Sequence, residues 1–128
     1  MAYVVKAAIR SEPEAEVLSF TEKTMYGGKK IRAGDEIFVF SSDHQGGRGL
    51  IARGVVTAAA RLPGIWISIE VRLVARARRA LGRNELKPFR ELNDGQPMTE
   101  LARKFYRQAT NKIGGISDEA AALLMTYF

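Results

Sequence analysis

The strongest constraint on the fold is a strict alternation of apolar and polar side chains between Ile65 and Leu73. The odd positions carry Ile65, Ile67, Ile69, Val71 and Leu73, whereas the even positions carry Trp66, Ser68, Glu70 and Arg72. Because successive side chains of a β-strand point to opposite faces, this alternation predicts a strand with one buried face. The Pro63-Gly64 step immediately before it predicts a turn.

Three further segments are predicted to be strands. They cover residues 3–9, 36–40 and 50–57, and each has apolar side chains at strand spacing. The residues expected to be buried in the resulting core are Ile37, Val39, Ile67, Ile69 and Val71. Four or more strands with short connections, an early helix and a helical tail indicate an α+β domain around a small barrel of five to six strands.

The predicted helices flank these strands. Ser11, Pro13 and the neighbouring acids are typical of a helix N-terminus, so we predict a helix from residue 11 to about residue 23. The tail is predicted to hold a helix over residues 99–109, a break over 111–115 and a last helix capped by Ser117. We expect this tail to cover Trp66, whose alternative role is to stack on a base.

The composition predicts a single cytoplasmic domain over residues 1–128. A chain of 128 residues is long enough to bury a core. The absence of cysteine excludes disulfides, thiolate nucleophiles and Cys-ligated zinc. The first residues turn acidic too early for a signal peptide, and no apolar run is long enough to span a bilayer.

The net charge of +6 favours an anionic partner such as nucleic acid. Four arginines are clustered after the long predicted strand, and three further cations are selected from the polar loops and the turn within residues 26–49. The candidates for contacts with a nucleic-acid backbone are therefore Lys30, Arg32, Arg48, Arg76, Arg78, Arg79 and Arg83. The alternative interpretation of the arginine cluster is a solvated surface.

Two polar loops between Tyr26 and Val56 are the candidate ligand site. The first loop, Gly27-Gly28-Lys29-Lys30, can offer N–H groups and ammonium groups to a phosphate, although a plain turn has the same composition. The second loop runs over residues 41–49 and contains two hydroxyls, the only histidine and an arginine. Flexible, positively charged loops held between apolar strands predict a site for a polar, anionic ligand.

No complete catalytic or metal-binding constellation is visible in the sequence. With His44 as the only histidine and no cysteine, a His-pair or cysteine metal site is excluded. Ser41 and Ser42 precede His44, but neighbours on one loop rarely align as nucleophile and base. The chain contains no G-x-S-x-G, Walker A or dinucleotide fingerprint. These observations predict a binding module without a cofactor or a metal.

The order of these segments resembles the PUA-like superfamily, and most of all its EVE branch. Tyr26-Gly27-Gly28-Lys29 resembles the family's Gly-Lys loop, and Arg32-Ala33-Gly34-Asp35 resembles its K/R-x-G-D turn. The strand that follows, with its hydroxyl end at Ser41-Ser42, resembles the next family strand, and the likeness covers roughly residues 1–75. The resemblance implies a PUA-like β-pseudobarrel with flanking helices and a C-terminal helical tail.

The resemblance also implies a function and a site. Relatives with such pockets read modified bases in RNA or DNA by flipping them into an aromatic-lined hole, where stacking and edge hydrogen bonds identify the base. The ligand-binding residues implied here are Tyr26, Gly27, Gly28, Lys29, Phe40, Ser41, Ser42 and His44. Tyr26 takes the place of the tryptophan that often stacks on the base.

Two other function classes remain open at this point. Members of the ASCH branch include small amidohydrolases that act on modified nucleosides, and Glu70 is the candidate general acid/base for such an enzyme. Their Gly-x-Lys-Thr pattern is incomplete, because Lys30 replaces the threonine and Arg32 comes too early. The third class is an interaction module without a ligand, whose tail helices bind a protein partner or a second copy of the chain.

Overall fold

The computed structural model describes residues 2–9, 16–42, 49–107 and 110–128, and their centre is a closed barrel. Its strands are β1 (Ala2–Ala7), β2 (Val17–Met25), β3 (Glu36–Ser41), β4 (Gly49–Arg61), β5 (Trp66–Arg76) and β6 (Lys112–Ile116). Their order around the barrel is β1-β3-β4-β5-β2-β6. The predicted α+β pseudobarrel is therefore confirmed, with six strands in the described part of the chain.

Short helices pack against one side of this barrel. They are α1 (Arg83–Leu86), α2 (Pro97–Phe105) and α3 (Asp118–Met125), and 3-10 turns span Gly28–Lys30 and Lys87–Phe89. The predicted cap of the last helix is confirmed, because the Ala120 N–H donates to Ser117 Oγ at 3.1 Å. The apolar face of α2, formed by Leu101, Ala102 and Phe105, is buried as predicted.

The barrel wall at β1 and β3 is buried on both faces. Tyr3, Val5, Ile37 and Val39 face the interior, where they join Ile67, Ile69, Val71 and Ile113. Val4, Phe38 and Phe40 face outward and pack under the helices with Leu101, Phe105 and Leu124. Burial on both faces explains why these strands have nearly continuous apolar sequences. The five residues predicted to be buried, Ile37, Val39, Ile67, Ile69 and Val71, are all in this core.

The early helix predicted over residues 11–23 is wrong from residue 17 onward, because that segment is strand β2. β2 pairs antiparallel with β5, from Val17 opposite Arg72 to Lys23 opposite Trp66. Residues 11–15 lie outside the described part of the chain. The capping residues at Ser11 are a local signal, whereas the strand has a partner about fifty positions away that local propensity does not register.

The break predicted over residues 111–115 is also wrong, because β6 closes the barrel there. β6 pairs antiparallel with β1 and parallel with β2. Its two glycines look like strand breakers in the sequence, but the close approach of other backbone requires them. A Cβ on Gly115 would lie 2.6 Å from the Tyr26 carbonyl oxygen, and one on Gly114 would lie 3.3 Å from the Met25 carbonyl oxygen.

The tail does not cover Trp66, so that prediction is wrong as well. Trp66 keeps 45% of its surface exposed at the start of β5. The helices cover the opposite wall of the barrel instead, where Phe38 and Phe40 offer larger apolar area than the even positions of β5. Burial of apolar area favours this choice, since the outward face of β5 alternates with Ser68, Glu70 and Arg72.

Candidate functional site

Tyr26 directly follows β2 and presents its ring at the surface. Its φ is 54°, and among the described residues it is the only one other than glycine with a left-handed backbone conformation. This conformation is unfavourable for an aromatic residue, so neighbouring contacts must hold it. The Tyr26 carbonyl accepts the Gly115 N–H at 3.1 Å, and its ring meets Phe105 edge-on at 6.5 Å. The ring nevertheless remains 41% exposed.

A pocket of about 440 Å³ lies beside this ring and is called the Tyr26 pocket below. Its other walls are Glu100, Arg103, Lys104 and Arg107, on α2 and just beyond its end. Lys104 Nζ lies 5.3 Å from the centre of the Tyr26 ring and donates to the Gly115 carbonyl at 2.9 Å. The pocket therefore combines one exposed aromatic ring with three cations and one carboxylate.

The carboxylate of Glu100 fixes α2 to the start of α3. It accepts hydrogen bonds from the Ser117 N–H at 2.8 Å, from the Ser117 hydroxyl and from Lys104 Nζ at 3.1 Å. Burial is the largest single influence and raises the pKa of Glu100, but the hydrogen bonds from Ser117 and Lys104 together lower it below its ordinary value. Glu100 is therefore ionised at neutral pH and holds the wall of the pocket in place.

Two buried lysines lie under the C-terminal end of α2, and sequence reasoning missed both. Lys6 on β1 and Lys112 on β6 are opposite each other in the barrel wall. Lys6 Nζ donates to the Phe105 carbonyl at 2.7 Å, and Lys112 Nζ donates to the Lys104 carbonyl at 2.8 Å. The last carbonyls of a helix carry partial negative charge, which suits both ammonium groups. No sequence signal placed these lysines under α2, because β6 was predicted to be a break.

Lys112 is the more strongly perturbed of the two lysines. Burial lowers the pKa of Lys112 to about 8, and the positive charges of Lys6 and Lys23 add to this effect. Its Nζ lies 6.0 Å from the centre of the Tyr26 ring and 5.8 Å from that of Phe105. The charge behind the Tyr26 ring therefore changes between pH 7 and pH 9.

The hydroxyl end of β3 lies deeper than the sequence suggested. Ser41 Oγ donates to the Ile9 carbonyl at 3.1 Å, and the Ser42 N–H donates to the Ala7 carbonyl at 2.9 Å. Ser42 Oγ is buried and has no hydrogen-bond partner among the described residues. Phe40 is fully buried and stacks on Phe105 at 6.3 Å, so it supports the exposed ring from behind. His44 and Arg48 lie outside the described residues.

The strand register separates the two predicted loops. Ser41 pairs with Ala7 of β1, whereas Gly115, which bonds Tyr26, pairs with Tyr3 of the same strand. Four residues along a strand correspond to about 13 Å. The structure thus brings Tyr26 together with α2, and it leaves Ser41 and Ser42 toward the other end of β1, with Phe40 and Phe105 between them.

The first loop forms a 3-10 turn and does not cradle an anion with its backbone. The N–H groups of Lys30 and Ile31 donate to the Gly27 and Gly28 carbonyls at 3.0 and 3.2 Å. Gly28 packs on β6, where a Cβ would lie 2.2 Å from the Ile113 carbonyl oxygen. Lys29 Nζ donates to the Gly64 carbonyl at 2.5 Å. Lys30 and the turn residue Arg32 line a second pocket.

The arginine cluster after β5 is partly committed to the end of the chain. The Arg78 guanidinium donates to the Phe128 carbonyl. The Arg79 guanidinium donates to the Thr126 carbonyl at 3.0 Å and lies 4.3 Å from the centre of the Tyr127 ring. Arg76 and Arg83 are exposed. The cluster thus fastens the C-terminal residues as well as presenting charge.

Other kinds of site find little support in the described residues. Within residues 2–9, 16–42, 49–107 and 110–128, no three Asp, Glu or His side chains converge as metal ligands. None of the helices described is long and apolar enough to cross a bilayer. Glu70, the acid/base candidate of the amidohydrolase interpretation, is exposed on β5 and pairs with Ser19, toward the opposite end of β2 from Tyr26.

Known structures share this fold, although no protein-family profile and no curated protein sequence matches the chain. The DUF55 domain of human thymocyte nuclear protein 1 superposes with a TM-score of 0.68 at 11% identity, over 98% of this chain and 97% of that one. The human THYN1 protein in complex with 5-methylcytosine-containing DNA gives 0.67 at 11% identity, over 98% and 95%. A Pseudomonas putida protein gives 0.64 at 16% identity, over 99% of both chains. These likenesses show that the chain shares the fold of the DUF55 domain, in agreement with the predicted β-pseudobarrel with flanking helices.

Proposed function

We propose that this chain is a nucleic-acid-binding module that reads a modified or flipped base in RNA or DNA. The observation that carries the proposal is the exposed ring of Tyr26 in a pocket with three cations. A base stacks on the ring, and Arg103, Lys104 and Arg107 neutralise the phosphates beside it. The shared fold supports this function, since a human protein of that fold was solved with 5-methylcytosine-containing DNA.

The division of labour in the pocket follows from the chemistry of its walls. Phosphate contacts position a nucleic acid without identifying it, whereas contacts to the base give specificity. Stacking on Tyr26 contributes roughly 1–3 kcal/mol per base. A base must leave its stack to reach the ring, which favours damaged, modified or single-stranded sites. A pocket of about 440 Å³ has the size of a small-molecule site.

The hydroxyl end of β3 has a separate part in this proposal. Ser41, Ser42 and His44 are proposed to read the edge of a base, but Ser41 pairs with β1 at a level about 13 Å from that of Tyr26. One base does not reach both places. We therefore assign Tyr26 and the hydroxyl end to different nucleotides of one single-stranded segment, as in proteins that follow a strand along a groove.

The experiment is a binding series with oligonucleotides that differ only in one base. Fluorescence anisotropy with matched modified and unmodified RNA and DNA is expected to show a preference for one modified base in the wild type. Tyr26→Ala is expected to erase that preference and to leave non-specific affinity. Both kinds of binding are expected to weaken as salt rises, because neutralised phosphates release counterions.

Trp66→Ala is the matched control for this series. Trp66 is as exposed as Tyr26 but starts β5 on the wall that the helices leave uncovered. If Tyr26 is the stacking residue, removal of Trp66 leaves the preference unchanged, whereas loss of the preference in Trp66→Ala would assign the stacking to Trp66. The assignment to Tyr26 is wrong if the wild type shows no preference across the panel, or if Tyr26→Ala retains it.

A further inference from the structure

A second pocket, of about 420 Å³, lies at the end of the barrel where β1 begins and is called the Tyr3 pocket below. Its walls are Tyr3, Lys30, Arg32, Asp35 and Arg61. Three cations and a phenol thus face one carboxylate. The cations come from the 3-10 turn, from the turn before β3 and from the last residue of β4, so the fold, and not a run in the sequence, brings them together.

Arg61 is held in a fixed orientation. One Nη2 nitrogen donates to the Lys29 carbonyl at 2.5 Å and to the Ile31 carbonyl at 3.1 Å. These bonds use one end of the guanidinium and leave other N–H groups of the fork for a ligand. A guanidinium that is already ordered loses little side-chain entropy when an anion binds.

Asp35 does not neutralise the pocket. Its Oδ2 accepts the Arg32 backbone N–H at 2.8 Å, which closes the turn before β3. Among the described residues, no ion pair within 4.0 Å joins Asp35 to Lys30, Arg32 or Arg61. The carboxylate is thus occupied by the backbone, and the three side-chain cations outnumber it.

Tyr3 contributes a neutral hydroxyl at the base of the pocket. Its side chain is 2% exposed inside the barrel, and its hydroxyl makes no hydrogen bond to the described residues. Burial and the Asp35 charge raise the pKa of Tyr3, against the opposite effect of Arg32 and Arg61. The phenol therefore keeps its proton at neutral pH, and its O–H group can donate a hydrogen bond to an anion.

We propose that the Tyr3 pocket binds a phosphate group, held by Arg61, Arg32 and Lys30 and by the Tyr3 hydroxyl. Arginine guanidinium groups match the geometry of phosphate oxygens, and a charge-assisted hydrogen bond is about twice as strong as a neutral one. The phosphate belongs either to the nucleic-acid strand bound at Tyr26 or to a free phosphorylated small molecule. The first source depends on the proposed function, whereas the second does not.

Strand β6 connects the two tyrosines through Gly115. Gly115 of β6 bonds the Tyr26 carbonyl on one side and pairs with Tyr3 on the other. A Cβ on Gly115 would lie 2.6 Å from the Tyr26 carbonyl oxygen and 3.8 Å from Tyr3 Cε1. Because Tyr26 and Tyr3 both contact Gly115, we include a phosphate of the strand that stacks on Tyr26 among the candidate ligands of the Tyr3 pocket.

The first test is an NMR titration of the isotope-labelled protein with inorganic phosphate at constant ionic strength. The amide signals of residues 30–35 are expected to shift and to saturate. Arg61→Gln and Arg32→Gln are each expected to weaken the affinity about tenfold or more, and Tyr3→Phe about three- to tenfold. The matched control is Lys87→Gln, which removes one exposed cation outside the pocket and is expected to change nothing.

This titration tests phosphate binding at the Tyr3 pocket and requires no nucleic acid. The proposal is overturned if the signals of residues 30–35 do not saturate, or if Arg32→Gln retains wild-type phosphate affinity. Because Arg61 also fastens the 3-10 turn, thermal melting is run on each variant. Arg32→Gln and Tyr3→Phe keep the test valid if Arg61→Gln unfolds, since neither removed group bonds another described residue.

A second measurement distinguishes the two sources of phosphate. For a nucleic-acid phosphate, Arg32→Gln is expected to reduce the slope of log affinity against log salt by about one for an oligonucleotide. An unchanged slope, with inorganic phosphate binding still lost, assigns the pocket to a free phosphorylated molecule. A protein that binds phosphate but no oligonucleotide contradicts the proposed function and leaves the Tyr3 pocket assigned.

Discussion

Tyr26 and Tyr3 lie on two sides of the same glycine and are used in opposite ways. Tyr26 exposes 41% of its surface on the outer wall, next to α2, and holds a left-handed backbone. Tyr3 is 2% exposed inside the barrel, in a regular strand, and lines the Tyr3 pocket. One residue type therefore offers a ring on one side of β6 and a hydrogen-bond donor on the other.

The difference shows that position in the barrel wall, more than residue type, decides what a tyrosine can do here, since Tyr3 lies within β1 and Tyr26 in the turn after β2. Side chains of successive strand residues point to opposite faces, so the wall around Gly115 has an inner and an outer chemistry. The outer face has aromatic rings with lysines, which suits a base with its phosphate. The inner end has a phenol with guanidinium groups, which suits an oxyanion.

The largest expected effect removes the support of Tyr3 inside the barrel. Ile69 is buried in the interior cluster that contains Tyr3, so Ile69→Ala is expected to lower the free energy of unfolding by about 2–5 kcal/mol. The control is Val74→Ala on the same strand, which is exposed and should change stability by less than about 0.5 kcal/mol. Urea unfolding measures both, and equal effects would contradict the assigned register of β5.

The connection of the two tyrosines through Gly115 is tested by adding one methyl group to that glycine. Gly115→Ala places a Cβ 2.6 Å from the Tyr26 carbonyl oxygen, so it is expected to cost about 1–3 kcal/mol of stability. Gly114→Ala is the milder comparison, since its nearest neighbour is 3.3 Å away. Signals of both pockets should shift in Gly115→Ala. If Gly114→Ala proves the more damaging, the placement of Tyr26 on Gly115 is wrong.

The outer side is expected to respond to pH through Lys112. Its pKa is about 8 in the folded protein against an ordinary 10.5, so between these values the unfolded chain binds more protons. The free energy of unfolding at this site therefore rises with pH between about 8 and 10.5, by at most about 1.4 kcal/mol per pH unit. Lys112→Met removes the charge, and its stability relative to wild type should fall across that window. A difference that stays constant from pH 7 to pH 10 would contradict a depressed pKa.

The smallest effect sharpens the comparison by removing one oxygen from each tyrosine. Tyr26→Phe retains the ring, so base preference should survive with little change. Tyr3→Phe loses the hydroxyl that is proposed to donate to the phosphate, and phosphate binding should weaken by about 1 kcal/mol. Phosphate titration and the oligonucleotide panel measure the two effects. The reverse pattern would mean that Tyr26 acts through its hydroxyl and Tyr3 through its ring.

The strands with a clear alternation could be predicted from the sequence. The predictions for β1, β3, β4 and β5 are confirmed, and the Ser117 cap at α3 follows from local chemistry. β2 and β6 could not be predicted, because each conflicts with a local signal. A helix-capping sequence precedes β2, and two glycines lie within β6. The strand pairings of β2 with β5 and of β6 with β1 outweigh these local signals, and they join distant parts of the chain.

The residues of the candidate site also fall into those that the sequence identified and those that it did not. The sequence singled out Tyr26 as the stacking residue, and the cations Lys30 and Arg32 as phosphate contacts. Arg61, Lys6 and Lys112 were not identified, since nothing local places them beside a tyrosine or under a helix end. The family resemblance grouped Ser41 with Tyr26 in one ligand site, whereas the strand register separates their backbone levels by about 13 Å along the barrel wall.

By itself, the sequence determined the pattern of buried faces, the basic charge and the chemistry available to a ligand. Alternation and capping are short-range properties, and they are complete within a few residues. Only the tertiary structure decided which tyrosine is exposed, which lysines are buried and which arginines meet. Those outcomes depend on the order and register of strands around the closed barrel, because backbone hydrogen bonds between distant segments must all be satisfied at once.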